Sequence, residues 1–399
     1  QGLAALLKHL VVDRGPSGPD NGYGTGELRV GAPPTQPDTR PSAFHPVSPT
    51  RILDTRNPGS TPAGRQEPEA IVDVRVAGTG AVPADASAVA VNLTVVDAVT
   101  AGYAQLLPSL AGAVDAGSTL NIPRAGATVP DFAIVPLGRD GSMSIYLPSG
   151  GHVLVDLLGW FAPVAEPTPD GRYVPISPTR VLDTRQRILD RPAVLPDGWV
   201  NHRPRTGEIV AVPVGRALPP TGVAAVVLTV TATEVARAGF VTAFPAGRPV
   251  PEASMLNLTA GSTLANTVVV PLGVGGTVSL YTDGPAHLIA DVQGYVTDPT
   301  ASPGTAGRFV PVRPSRLLDS RGQAPVADRA VPMPDGVIGA AVTLTAAPSV
   351  TGPGFLQVWG VHPRPAGEFS NLNWTAPGEI VAAGGIVAVG PGPGPGPVL

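Results

Sequence analysis

Short apolar runs separated by turn residues recur along nearly the whole chain. Runs such as AVAVNLTV (88–95) and FAIVPLG (132–138) are rich in valine, leucine and aromatic residues, and glycine, proline, aspartate or asparagine bounds them. This pattern predicts β-strands. Ile134–Leu137 and Val268–Leu272 are apolar at consecutive positions, which predicts strands that are covered on both faces.

The first ten residues follow a different period. Leu3, Leu6, Leu7 and Leu10 have the spacing of one apolar helix face. A short amphipathic N-terminal helix is therefore predicted. An isolated helix of this length is marginal in water, so we expect it to be poorly held.

The apolar runs belong to a long internal repeat. FHPVSPTRILDTR (44–56) returns as YVPISPTRVLDTR (173–185) and as FVPVRPSRLLDSR (309–321), and further blocks follow in the same order each time. Each copy holds about eight strands in about 120 residues, which is typical of a β-sandwich or compact barrel. The third copy leaves the pattern before its last two strands and continues as PGPGPGPVL.

The predicted fold is all-β, with three tandem jelly-roll-like β-sandwich modules, the third incomplete, after the short helix. Proline- and glycine-rich stretches mark the boundaries. The predicted organisation is a terminal segment (1–30), a linker (31–43), module 1 (44–161), a linker (162–172), module 2 (173–296), a linker (297–308), module 3 (309–390) and a Gly-Pro tail (391–399).

Composition narrows the classes of function. The formal net charge is −4 and charged residues make up 14% of the chain, so no basic field for nucleic acid is present. Cysteine is absent, which excludes disulfides, thiol catalysis and Cys-ligated zinc. No apolar run reaches the about 18 residues that a membrane span needs. Neither a metal motif nor a cofactor motif occurs.

One charged block recurs in every copy and is the first candidate site. As a regular strand, residues 51–56 would place Asp54 and Arg56 on one face and Arg51 on the other. Such a block could bind an anion or an acidic sugar, or it could be an ion-pair staple that fixes the first strand. The candidate binding residues are Arg51, Asp54, Arg56, Arg180, Asp183, Arg185, Arg316, Asp319 and Arg321.

Histidine and aromatic residues give weaker candidates. His152 and Asp156 recur as His287 and Asp291, and the spacing along a strand is too wide for one metal ion. Aromatic residues that recur in equivalent runs are predicted to lie in the cores. Trp199 falls in an insertion of module 2 that the other copies lack, so it is a candidate for stacking on a sugar ring.

Residues 1–30 resemble the end of a subtilisin-like serine protease domain. QGLAALLKHLVVDRG matches its last helix, and GPSGPDNGYGTGELRV matches the closing segment of that family. The family's G-T-S motif, which carries the catalytic serine, does not occur in this sequence. The resemblance implies that residues 1–30 are the remnant of a protease domain whose catalytic residues lie outside this sequence.

The three copies resemble a tandem module of secreted and wall-associated proteins of high-GC Gram-positive bacteria. The shared block is PTRxLDTR, with NLT and an Asp-containing final strand downstream. The resemblance implies extracellular, non-catalytic modules that anchor an attached protease to cell wall or another polysaccharide. Two alternatives remain open. The chain could be a fragment of a secreted subtilisin-like endopeptidase, or its modules could be a structural spacer.

Overall fold

The computed structural model is almost entirely β-structure. It describes residues 11–12, 27–28, 38–109, 117–185, 202–312, 314–322, 329–346, 352–360 and 369–390. The predicted N-terminal helix and the Gly-Pro tail lie outside these ranges. Val11–Val12 (β1) and Glu27–Leu28 (β2) form a short antiparallel ladder. The described residues include no helix that is long and apolar enough to cross a membrane.

Module 1 is a sandwich with the strand order of a jelly roll. Its two four-stranded antiparallel sheets have the orders β3-β10-β5-β8 and β4-β9-β6-β7. Each sheet thus combines strands from early and late in the module, as two Greek keys require. The strands are β3 (Ser42–Asp54), β4 (Ala70–Arg75), β5 (Ala88–Val96), β6 (Gly102–Pro108), β7 (Leu120–Ile122), β8 (Val129–Pro136), β9 (Ser142–Leu147) and β10 (His152–Pro163).

Module 2 repeats this topology strand for strand. Its sheets have the orders β11-β18-β13-β16 and β12-β17-β14-β15. The all-β sandwich prediction is therefore confirmed. The strands are β11 (Tyr173–Asp183), β12 (Glu208–Val212), β13 (Val223–Thr233), β14 (Gly239–Pro245), β15 (Leu256–Leu258), β16 (Leu264–Pro271), β17 (Val278–Thr282) and β18 (His287–Thr297).

The two faces of the central strands pack against different apolar cores. On β5, Val91 and Leu93 are fully buried inside the sandwich of module 1. Ala88 and Ala90, which alternate with the inward residues, belong with Phe132 to the apolar cluster that also holds the core of module 2. This explains why such strands are apolar at consecutive positions, because both of their faces are covered.

Module 3 forms four strands among its described residues, against eight in each of modules 1 and 2. Its two ladders pair β19 with β22 and β20 with β21, which correspond to β5, β8, β6 and β7 of module 1. The entry segment from Phe309 forms only an isolated bridge to Ser42. In module 1 the entry strand β3 pairs with the last strand β10 alone. The strands are β19 (Gly339–Ala346), β20 (Gly354–Leu356), β21 (Leu372–Trp374) and β22 (Val381–Ala388).

The modules pack in cyclic order around three equivalent strands, β8, β16 and β22, which contact one another. Strand β16 also contacts β3 and β10 of module 1, and β22 contacts β11 and β18 of module 2. Strand β8 in turn contacts β19 and β22 of module 3. Each module presents an edge to the outer face of a neighbouring sheet, so the three modules close into a ring.

The entry segments form a second closed circuit, made of backbone hydrogen bonds. The bonds run from Phe44 N to Gly171 O at 2.8 Å, from Tyr173 N to Gly307 O at 2.8 Å and from Phe309 N to Ser42 O at 2.9 Å. The rings of Phe161 and Phe309 add a contact between modules 1 and 3, with their centroids 4.5 Å apart. The Pro/Gly-rich stretches before modules 2 and 3 thus supply hydrogen-bond acceptors to the ring.

Candidate functional site

The recurrent arginine–aspartate block forms a network between the first and last strands of module 1. Arg51 donates through Nε and Nη2 to both oxygens of Asp156 on β10, at 2.5 and 3.2 Å. Its Nη1 also donates to Asp54 Oδ2 at 2.9 Å. Arg56 holds the same carboxylate through two bonds of 2.9 and 2.6 Å. The network therefore fastens β3 to β10.

A β-bulge brings these charges together. The register of β3 against β10 shifts between Leu53, which faces Val155, and Arg51, which faces Asp156. One residue of β3 is left unpaired there, so the strict alternation of side chains is lost. The expectation that Arg51 lies on the face opposite Asp54 is therefore wrong.

Module 2 repeats the network, and module 3 retains only part of it. Arg180 binds Asp291 on β18 at 2.9 and 3.1 Å, and Arg185 binds Asp183 at 3.0 and 2.8 Å. In module 3 the described ion pairs of the block join Asp319 to Arg316 at 3.5 Å and to Arg321 at 2.5 Å.

The electrostatics of the network fit a structural role. The hydrogen bond from Arg56 holds the pKa of Asp54 below its usual range. Burial raises the pKa of Asp156, and the Arg51 guanidinium opposes that rise. Arg51 Nη2 additionally donates to the backbone carbonyl of Glu252 in module 2 at 2.7 Å. Protein groups thus engage these guanidinium donors, and the block joins neighbouring strands and modules.

One buried asparagine joins module 2 to module 1 at the centre of the ring. Asn266 Oδ1 accepts a hydrogen bond from Phe132 N of module 1 at 3.1 Å. Its Nδ2 donates to Asn92 Oδ1 at 3.0 Å and to Met255 O at 2.7 Å. Every polar atom of this side chain is satisfied across the interface, as a buried amide requires.

Asp131 has the equivalent position in module 1 and contacts module 3. Its Oδ1 accepts from Gly384 N at 2.6 Å, while Oδ2 has no hydrogen-bond partner. The side chain is fully buried. Burial raises the pKa of Asp131 to about 8, against hydrogen bonds from the backbone N–H groups of Gly384 and Phe132. At neutral pH the carboxyl is therefore mostly protonated.

An aromatic row crosses the outer face of the second sheet of module 2. Ile209 lies directly opposite Tyr281 in the ladder, and Phe240 lies opposite Asn257. The centroids of Phe240 and Tyr281 are 5.7 Å apart. The residues that alternate with this row belong to the sandwich core, so the row faces outward.

The row offers both apolar surface and hydrogen-bond donors. Ile209 is 51% exposed, and Phe240, Tyr281 and Asn257 are half-buried. Ser254 Oγ donates to Asn257 Oδ1 at 3.4 Å, which leaves the two amide hydrogens for another acceptor. Half-exposed aromatic rings beside an amide make an amphipathic surface.

The other modules repeat the row with different exposure. In module 1, Tyr146 is fully buried in a small cluster with Tyr103, and its hydroxyl donates to Glu69 Oε2 at 2.5 Å. In module 3, Phe355 is 46% exposed and lies opposite Asn373. The prediction that these aligned aromatic residues fill the sandwich cores is therefore wrong for Phe240, Tyr281 and Phe355. Sequence reasoning missed one signal. In each module an asparagine recurs on the strand that follows the aromatic residue, and the two lie opposite each other in the ladder.

The remaining sequence candidates give no further cluster. Trp199 lies outside the described residues. Nearby, His202 Nε2 lies 3.0 Å from Glu208 Oε1, and Arg203 pairs with Glu234 at 3.1 Å. Among the residues that the structure describes, no group of three His, Asp or Glu side chains is arranged to hold a metal ion.

Comparison of the sequence with protein-family models and with curated proteins found no match. The candidate site therefore depends on geometry alone. That geometry favours the outward aromatic row of module 2 over the arginine–aspartate block, whose charges are engaged within the protein.

Proposed function

We propose that this chain is a non-catalytic extracellular binding unit that anchors an attached secreted protease to cell wall or another polysaccharide. The observation that carries the proposal is the outward row of Ile209, Tyr281, Phe240 and Asn257 in module 2. The attached protease and the extracellular location rest on the sequence resemblances of residues 1–30 and of the repeat block.

The chemistry of the row suits a sugar polymer. A pyranose ring has an apolar C–H face and a rim of hydroxyl groups. The faces of Phe240 and Tyr281 would take the apolar side, and the free amide hydrogens of Asn257 would bond a hydroxyl. A few oriented polar groups beside an apolar surface are typical of specific ligand sites.

The ring arrangement leaves this surface accessible. The contacts between modules involve β8, β16 and β22 and the sheets on which they pack, and β14 and β15 of module 2 also contact β3 and β8 of module 1. Strands β12 and β17, which carry Ile209 and Tyr281, take no part in those contacts. An exposed equivalent in module 3, Phe355, adds a second potential contact. Two sites held in fixed geometry raise the apparent affinity for a repeating polymer.

Retention of the full chain on purified cell wall, chitin and cellulose tests the proposal. We expect retention on at least one polymer, and we expect Tyr281→Ala and Phe240→Ala each to weaken it about tenfold through loss of ring stacking. Val274→Ser is a matched control, because Val274 is 79% exposed away from the row. Retention that Tyr281→Ala leaves unchanged would exclude the row, and absence of retention on every polymer would favour the spacer alternative.

A further inference from the structure

The outward row of module 2 carries an amide whose orientation is fixed. Asn257 lies on β15 between two buried leucines. Its side chain therefore points to the same outer face as Phe240, its partner in the ladder. Ser254 Oγ donates to Asn257 Oδ1 at 3.4 Å. The carbonyl end of the amide is thus bonded within the protein, and the Nδ2 end keeps two donors for a ligand.

The same serine–asparagine pair recurs in the other two modules. Ser118 Oγ donates to Asn121 Oδ1 at 3.1 Å in module 1, and Ser370 Oγ donates to Asn373 Oδ1 at 2.9 Å in module 3. Each asparagine is half-buried and lies opposite an aromatic residue in its ladder. Because all three modules orient the amide in the same way, its outward donors are a property of the fold.

Module 1 holds the segment that carries the serine of module 2. Asn92 Nδ2 donates to Ser254 O at 2.7 Å, and Arg51 Nη2 donates to Glu252 O at 2.7 Å. Two backbone carbonyls before β15 are therefore tied to the neighbouring module. A polar group that is held in place before binding loses less conformational freedom when a ligand arrives.

Apolar surface continues the row on the side of Phe240 away from the amide. The rings of Phe240 and Tyr281 have centroids 5.7 Å apart, and Ile209, opposite Tyr281, is 51% exposed. The row crosses four strands, β12, β17, β14 and β15, which gives it a length of about 14 Å. It is therefore longer than a single sugar ring and suits an oligosaccharide.

The donors and the adjacent ring together select one kind of sugar substituent. An ammonium group has only donors, which would face the donors of Asn257. A hydroxyl group can accept, but it brings no apolar surface to the ring of Phe240. An acetamido group brings both, because its carbonyl oxygen only accepts and its methyl group is apolar.

We propose that the row of module 2 recognises glycans that carry acetamido groups, as N-acetylated amino sugars do. This inference rests on the proposed function, since it names the class of polymer that the same row binds. The acetamido carbonyl accepts from Asn257 Nδ2, and its methyl group packs on Phe240. The next sugar rings of the chain lie over Tyr281 and Ile209.

A peptide is the other ligand that combines carbonyl acceptors with apolar groups. An extended peptide binds a sheet at its edge, through its backbone. The row lies on the face of the sheet and presents side chains only. This position favours a glycan over a peptide.

Three hexasaccharides with one backbone test the proposal. Hexamers of β-1,4-linked glucose, N-acetylglucosamine and glucosamine differ only at C2, where they carry a hydroxyl, an acetamido and an amino group. Each is titrated into the full chain by calorimetry in mildly acidic buffer, where the amine is charged, at about 0.15 M salt to screen the net charge of the protein. We expect the acetamido form to bind about tenfold more tightly than the hydroxyl form, and the ammonium form to bind most weakly.

Asn257→Asp tests the assigned donors, because it replaces them with an acceptor and keeps an oxygen for Ser254 Oγ. We expect this variant to lose the preference for the acetamido form and to bind the ammonium form more tightly than the unchanged protein does. Asn57→Asp is the matched control. It adds the same charge at an exposed asparagine of module 1, whose side-chain oxygen also accepts one local bond, from Gly59 N at 2.9 Å. Ser254→Ala should reduce the preference, and Ser254→Thr should restore it.

Several results would overturn the acetamido assignment. They are equal binding of the three sugars, tighter binding of the hydroxyl or ammonium form, a preference that Asn257→Asp leaves unchanged, and displacement of the acetamido sugar by an apolar peptide. Retention on a polymer that depends on Tyr281, without preference among the sugars, would overturn this inference alone. Absence of retention on every polymer would overturn the proposed anchoring function as well.

Discussion

Replacement of Asp131 with asparagine should stabilise the protein at neutral pH. The carboxyl is fully buried between modules 1 and 3, and its Oδ2 has no hydrogen-bond partner. Asn266 has the equivalent position in module 2, where both polar atoms of its amide have hydrogen-bond partners. An amide is therefore compatible with this position of the module, and Asp131→Asn removes the titrating group with little change in shape.

The magnitude follows from the pKa of Asp131, which rises from 3.8 to about 8 on folding. Between these values the folded chain holds one proton more than the unfolded chain. Its free energy of unfolding therefore falls by about 1.4 kcal/mol per unit as the pH rises through this window. At pH 7 the free energy of unfolding has therefore fallen by about 4 kcal/mol relative to its value below pH 3.8. Asparagine has no proton to retain, so the variant is free of this loss.

Denaturant unfolding of both proteins at pH 5, 6 and 7 measures the effect. The advantage of Asp131→Asn should widen from about 2 kcal/mol at pH 5 to about 4 kcal/mol at pH 7. Asp97→Asn is the matched control for charge removal, because the Asp97 side chain is 59% exposed. An advantage that stays constant between pH 5 and pH 7 would refute a buried, protonated carboxyl at the interface.

Two further pairs of variants test the staples and the ring. Asp183→Ala leaves an arginine pair without its buried carboxylate and should lower the free energy of unfolding by about 3–5 kcal/mol. The equivalent Asp319→Ala, on a side chain that is 33% exposed, should lower it by less than about 1 kcal/mol. Calorimetry measures both losses, and equal losses would contradict the structural role of the arginine–aspartate block. A Cβ on Gly384 would lie 1.7 Å from Phe132 O, whereas one on Gly385 would meet its nearest atom at 3.4 Å. Gly384→Ala should therefore expose β22 to amide exchange and Gly385→Ala should not, and similar exchange in both would argue against tight docking of module 3.

The strands and the module repeat were predictable because they depend on local pattern. Apolar runs bounded by turn residues identify strands such as β5 and β13 without any knowledge of their partners. The departure of the third copy from the repeat was visible for the same reason, and among the described residues module 3 forms the four strands β19 to β22. The aromatic row was assigned to the wrong side, because alternation shows which residues share a face but not which face is inward.

The ring was not predictable from pattern, because it depends on single residues far apart in the sequence. Nothing local to Asn266 indicates that its amide reaches Asn92 in another module. The β-bulge that moves Arg51 beside Asp54 is likewise a property of the pairing with β10 and not of β3 alone. Interfaces of this kind follow from tertiary geometry, which a one-dimensional period does not encode.

Cyclic closure fixes how many modules the unit can have. In a linear array each added repeat contacts only its neighbours, so copies can be gained or lost one at a time. Here β8, β16 and β22 meet at one centre, and each module covers the next. A gene duplication that inserted a fourth module would break the hydrogen-bond circuit of the entry segments, and a deletion would leave one face bare. Copy number in this architecture should therefore change by whole rings of three.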